Sequence, residues 1–174
     1  TSASPILASW GLGPENRRFI SSKQTLIDAN NVGDLSLAWS FAFPRVSDMR
    51  SQPAVIGDRL FVGDKAGKLF VLNRHSGCVI AHTKMISGIR SAITVATLSD
   101  SRQLLVFADS LATVYALDPN TLDIVWQRSA RLNNYSVISG SISYHDDRLY
   151  VPISLFEVAA AGSPSHICCT SHGG

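Results

Sequence analysis

Leu60-Phe61-Val62-Gly63-Asp64 and, two residues further on, Gly67-Lys68-Leu69-Phe70-Val71-Leu72-Asn73 decide how this chain folds, because both stretches return. Leu105-Val106-Phe107-Ala108-Asp109 repeats the first and Ala112-Thr113-Val114-Tyr115-Ala116-Leu117-Asp118 the second, each 45 residues later. A third copy opens at Asp147-Arg148-Leu149-Tyr150-Val151, which matches Asp58-Arg59-Leu60-Phe61-Val62 at a spacing of 89, nearly two periods. Within a unit, Leu69, Val71 and Asn73 share one face of an extended segment and Phe70 and Leu72 the other, the period-2 alternation of a strand. Turn residues separate the runs at Ile56-Gly57-Asp58, Lys65-Ala66-Gly67, His75-Ser76-Gly77 and Asp118-Pro119-Asn120. No segment holds a helical period. Small sheets recurring about every 45 residues must stack on their neighbours to bury both faces, which predicts an all-β chain of about three four-stranded propeller blades.

Residues 1–50 are expected to lead into the first blade and residues 51–174 to carry the blades. Three blades do not close a ring of roughly four to eight. With no initiator Met, and with the chain stopping inside a motif, the expectation is a piece of a longer protein. Hydrophobic residues make up 45% of the chain and charged residues 16%, enough apolar material for a core. A net charge of +2, with 15 basic and 13 acidic residues scattered along the chain, argues against a nucleic-acid partner. No apolar run approaches the roughly 20 residues of a membrane span. The opening Thr1-Ser2-Ala3-Ser4-Pro5-Ile6-Leu7-Ala8 lacks the basic start of a signal peptide.

Cys168 and Cys169 are adjacent, and Cys78 is the third cysteine. Neighbouring α-carbons lie about 3.8 Å apart, closer than the roughly 4.4–6.8 Å of a relaxed disulfide. A bond between them would close a strained ring, and two buried free thiols are the alternative; the pair alone leaves both open. Cys168-Cys169-Thr170-Ser171-His172 has the wrong spacing for haem attachment or for a structural zinc pair. Gly11-Leu12-Gly13-Pro14-Glu15-Asn16 lacks the last glycine of a dinucleotide loop and reads as a turn. Trp39 and Trp126 read as inter-blade core, and His75, His82 and His145 as structural.

Several stretches carry a family resemblance. Trp10-Gly11-Leu12-Gly13, Leu37-Ala38-Trp39-Ser40-Phe41-Ala42-Phe43-Pro44, Gln52-Pro53-Ala54-Val55, Gly88-Ile89-Arg90-Ser91-Ala92-Ile93, Gly140-Ser141, Arg148-Leu149-Tyr150-Val151-Pro152, Glu157-Val158 and Cys168-Cys169-Thr170 occur in that order. Together they resemble the N-terminal blades of the polyvinyl alcohol dehydrogenase family, over about Trp10 to Thr170. That resemblance implies an eight-bladed quinoprotein propeller holding pyrroloquinoline quinone (PQQ) and calcium. It also implies an alcohol substrate, a c-type cytochrome as electron acceptor and a periplasmic or secreted location.

Carried over residue by residue, the resemblance gives Arg90 to the quinone oxygens, Ser139 and Ser154 to its carboxylates and Glu157 to calcium, whose preference is for hard oxygen ligands. It favours a vicinal disulfide between Cys168 and Cys169 near the quinone pocket, in an oxidising compartment. Methanol-oxidising relatives place the cysteine pair in an earlier blade, shortly before the Arg; here it follows Glu157. The catalytic Asp is expected in a later blade, so no catalytic residue is assigned to this chain. After Cys-Cys-Thr the family continues with an aromatic, an Arg and a Gly, where this chain reads Ser171-His172-Gly173-Gly174. The Glu that some relatives place before the first blade's Pro has no counterpart in Asp48-Met49-Arg50-Ser51-Gln52-Pro53. The alternative reading is a propeller scaffold without cofactor, resembling outer-membrane assembly lipoproteins. A Trp-Asp repeat propeller lacks its Gly-His and Trp-Asp signatures here.

Overall fold

The computed structural model describes residues 5–12, 15–156 and 162–165. Strands β1 (Pro5–Leu7), β2 (Ala54–Ile56), β3 (Arg59–Gly63), β4 (Lys68–Asn73) and β5 (Val79–Lys84) form one antiparallel sheet in chain order. Strands β6 (Thr94–Thr97), β7 (Gln103–Ala108), β8 (Thr113–Leu117) and β9 (Ile124–Ser129) form a second. Strand β10 (Ser136–Val137) pairs with β13 (Ser154–Leu155), and the hairpin of β11 (Ser143–His145) and β12 (Arg148–Tyr150) opens a third unit. Two blades are therefore complete among the described residues and a third is begun. The fifth strand of the first sheet, β1, comes from the opening segment.

Burial follows the repeat. Leu69 and Val71 of β4 face the second blade, and their equivalents Val114 and Ala116 of β8 face the third unit. Phe70 and Leu72 face the chain's own N-terminal segment, while Tyr115 and Leu117 at the same positions face the first blade. Strands β4 and β8 thus each contribute to two apolar layers, because alternate side chains leave opposite faces of the pleat. The middle layer joins Phe61, Leu69, Val71 and Ile89 to Ile93, Leu105, Phe107 and Tyr115. Phe107 is fully buried and stacks on Tyr115 with ring centroids 5.6 Å apart.

The outer face of the first blade is covered by residues 39–43. Trp39, Phe41 and Phe43 pack on Val62, Phe70 and Leu72, and Phe41 and Phe43 each approach the Phe70 ring edge-on at 5.5 Å. The Trp39 indole donates to the Arg74 carbonyl at 2.9 Å. Trp39 is therefore core of this strap, and Trp126 packs against the layer between the second blade and the third unit.

Local geometry repeats as well. Gly67 (φ +87°) and Ala112 (φ 60°) occupy the same left-handed turn position, and their carbonyls accept from Met85 and Ala130 at 2.7 and 2.8 Å. A Cβ at Gly67 would stand 2.5 Å from the Ser87 carbonyl oxygen, so glycine is needed there. Both third-strand registers slip at one point, between Val71 and Leu72 and between Ala116 and Leu117. Such a bulge sharpens the twist of the outer strand.

Candidate functional site: a cationic cavity at the blade entries

Three equivalent positions converge on one cavity. Arg50, Arg90 and Ser139 each stand four residues before the first strand of a unit, which begins at Ala54, Thr94 and Ser143 respectively. All three line an open cavity of about 410 Å³, together with Trp10, Asn16, Gly140, Ser141 and Ser143. The entries are laced laterally. Ile93 N–H donates to the Gln52 carbonyl at 3.0 Å, and Ala92 N–H donates to Ser141 Oγ at 3.2 Å. The Thr94 hydroxyl donates to the Ile142 carbonyl at 2.7 Å. Because these bonds run between units, the rim side chains are held at fixed separations.

The Arg90 loop is pinned from both sides. Ile89 N–H donates to the Asp64 carbonyl at 2.9 Å and Ser110 N–H to the Gly88 carbonyl at 2.8 Å. Ile89 is buried under Gly63, where an added Cβ would meet it at 2.5 Å, and a Cβ on Gly88 would collide with the Lys65 carbonyl. Ser91, fully buried, accepts from Ala108 N–H at 2.8 Å and lies 3.2 Å from the Ala108 carbonyl. The loop therefore has little room to move. Arg90 itself makes no hydrogen bond or ion pair among the described residues, and its Nε is buried without a partner. A buried guanidinium donor left unmatched is costly, and this Nε–H is free to donate to an oxygen placed beside it.

Beside it a second cavity of about 110 Å³ is lined by Asp48, Arg50, Lys65, Ile89 and Arg90. Arg50 Nε donates to Asp48 Oδ1 at 2.9 Å, and Lys65 Nζ lies 3.4 Å from Asp48 Oδ2. The Arg50 hydrogen bond holds the Asp48 carboxyl below its ordinary value, and Asp48 in return raises the guanidinium. One carboxylate faces three cations, so the site carries a positive balance suited to an anionic ligand.

The opening segment supplies the wall. The Ala8 carbonyl accepts from Val95 N–H at 2.6 Å, and the Ser9 carbonyl from Gln52 Nε2 at 3.1 Å. A turn with Gly11 at φ +74° then presents Trp10 to the cavity, and the Arg18 guanidinium lies 5.6 Å from the centre of that ring. Of the turn expected over residues 11–16, residues 13 and 14 lie outside the described residues, and Trp10–Leu12 form a short 3-10 helix.

Arg90 and Ser139 line the same cavity. Ser154 is set back from the cavity, its hydroxyl 3.5 Å from Ser139 Oγ. Glu157, Cys168 and Cys169 lie outside the described residues. Among the described residues no three His, Cys, Asp or Glu side chains gather at metal-binding distance, and no helix is long and apolar enough to cross a membrane. His75 pairs with Asp58 at 3.1 Å on the surface, in keeping with its structural reading. Sequence reasoning missed Arg50, Trp10, Asn16 and Ser141. Aligning the three blade entries, instead of the strands, would have found Arg50.

A PQQ-repeat family model described as outer membrane protein assembly factor BamB matches residues 22–162. The chain belongs to this family. It is 30% identical over 167 residues to a polyvinylalcohol dehydrogenase from Sphingopyxis sp. (strain 113P3), covering 94% of this chain and 25% of that protein. A second polyvinylalcohol dehydrogenase, from Pseudomonas sp, matches at the same identity over 94% of this chain and 26% of its own length. The expected likeness to that family is borne out, and the chain spans about a quarter of the length of these relatives. Among solved structures, quinohemoprotein alcohol dehydrogenase from Comamonas testosteroni superposes with a TM-score of 0.69 at 15% identity, over 85% of this chain and 23% of that one. The shared fold is that of a β-propeller, and the five-stranded and four-stranded sheets are two of its blades.

Proposed function

We propose that this chain forms the quinone-holding side of a PQQ-dependent alcohol dehydrogenase of the polyvinyl alcohol type. The observation that carries the reading is Arg90, mounted on a cationic cavity with a buried Nε that no described residue accepts from. The residues present fit the group. Its carboxylates and carbonyl oxygens are acceptors, the lining offers guanidinium and hydroxyl donors, and Trp10 offers a flat apolar wall. Bound there, the cofactor supplies a quinone able to take the hydride from the alcohol's carbon. Arg90 would then donate to quinone oxygens from a fixed fork, and the paired Ser139 and Ser154 hydroxyls would supply a donor to a carboxylate. The lateral bonds between entries hold these donors before the ligand arrives, which lowers the ordering cost of binding.

In the same reading, Glu157 contributes an oxygen ligand to calcium and Cys168 and Cys169 form a vicinal disulfide. The general base is an Asp of a later blade of the longer protein. Electrons leave to a c-type cytochrome, and the protein works in the periplasm or outside the cell. A second reading, a scaffold without cofactor, draws support from the family description as an outer-membrane assembly factor.

Quinone binding separates the two. The full-length protein, supplied with PQQ and calcium, is expected to retain the quinone through gel filtration and to reduce a dye when given a secondary alcohol. Arg90→Gln is expected to weaken quinone retention at least about tenfold, the worth of a charge-assisted hydrogen bond. A wild-type protein that retains no quinone would sink the enzyme reading and leave the scaffold.

A further inference from the structure

Arg50 occupies, in the first blade, the position that Arg90 holds in the second and Ser139 in the third. It lines both cavities, as Arg90 does, and the family resemblance assigns it no role. We infer that Arg50 is a further cofactor-binding residue, a second cationic anchor that pairs with a carboxylate of the quinone. This inference rests on the quinone reading of the cavity and adds a residue to it.

Three observations support the assignment. Asp48 engages Arg50 through Nε alone, which orients the guanidinium and leaves its outer Nη edge free to donate as a fork to a planar carboxylate. Asp48 is also within 3.4 Å of Lys65, so one acidic group is divided between two cations and neither is neutralised. Arg90 adds a third positive charge with no acidic partner among the described residues. A neutral ligand would leave this positive balance unanswered, whereas a ligand with several carboxylates answers it. The register adds a geometric argument. Equivalent positions in stacked blades point at a common centre, so anchors one blade apart can hold different edges of one flat ligand.

Equilibrium binding to the full-length protein tests this with two probes, PQQ and its trimethyl ester, which keeps the ring system and lacks the negative charges. Arg50→Gln is expected to raise the dissociation constant for PQQ about ten- to hundredfold, with partial recovery in Arg50→Lys and no change in Arg102→Gln, a surface arginine paired with Asp100. Added salt should weaken the wild type more than Arg50→Gln, and the ester should bind both alike. Equal PQQ affinity in wild type and Arg50→Gln would overturn the inference while leaving the quinone reading intact. Parallel loss of ester and PQQ binding would overturn it too, since Arg50 would then act on the fold. A wild type that binds neither probe would remove the quinone reading and this inference together.

Discussion

Asp109 shows how one residue organises a blade. Its Oδ1 accepts from Leu111 and Thr113 N–H at 3.0 and 2.9 Å, closing the turn between β7 and β8, and its Oδ2 accepts from the Tyr115 hydroxyl at 2.9 Å. Both residues are buried. Burial first, and the Asp109 carboxylate second, push the Tyr115 phenol above its ordinary value. In the first blade Asp64 plays the same turn role toward Lys68 N–H at 2.7 Å, and Phe70 stands where Tyr115 does. Ring size is therefore shared, and the hydroxyl is particular to the second blade. Tyr115→Phe is expected to cost about 1.5–3 kcal/mol in urea unfolding, because it leaves a buried carboxylate oxygen unmatched. A loss below about 0.5 kcal/mol would mean the bond contributes little.

At the scale of elements, strand identity was legible and loop geometry was not. The alternation of Leu69, Phe70, Val71 and Leu72 is a direct record of two buried faces, so a period-2 pattern with turn residues at its ends located β3, β4, β7 and β8. The β1 strand escaped, since three residues carry no readable period. The hairpin of β11 and β12 is held to the second blade by Tyr144, whose hydroxyl lies 2.5 Å from Asp147 Oδ1 and 3.0 Å from the Thr97 carbonyl. Ser99 N–H donates to the same Asp147 oxygen at 3.2 Å. The Asp147 hydrogen bond, more than burial, pushes the Tyr144 phenol up to about 12. A folded-state value raised above the ordinary 10.0 means the latch contributes fully below that pH and fades as pH climbs toward about 12. Thermal melts should therefore show wild type ahead of Tyr144→Phe at pH 9, with the gap narrowing between pH 10 and pH 12. A gap that does not change with pH would count against the latch.

Across the whole molecule, stability rests on layers shared between blades. Phe107 sits in the layer to which both complete blades contribute, with no exposed surface. Removing its ring would open a cavity that neither sheet can close alone, so Phe107→Ala is expected to cost about 3–5 kcal/mol. Denaturant unfolding checks this: the midpoint should fall with the slope unchanged, and a smaller slope would indicate that the blades had uncoupled. By itself the sequence determined the repeat, the alternating faces and the family, because burial on both sides of a pleat imposes a local and periodic pattern. It also pointed to Arg90 and Ser139 through resemblance. Only the tertiary structure decided that Arg50, Arg90 and Ser139 meet. Their spacings along the chain are 40 and 49 residues, off the 45-residue period, because the connections between blades differ in length while the lateral stacking of sheets returns each entry to the same rim.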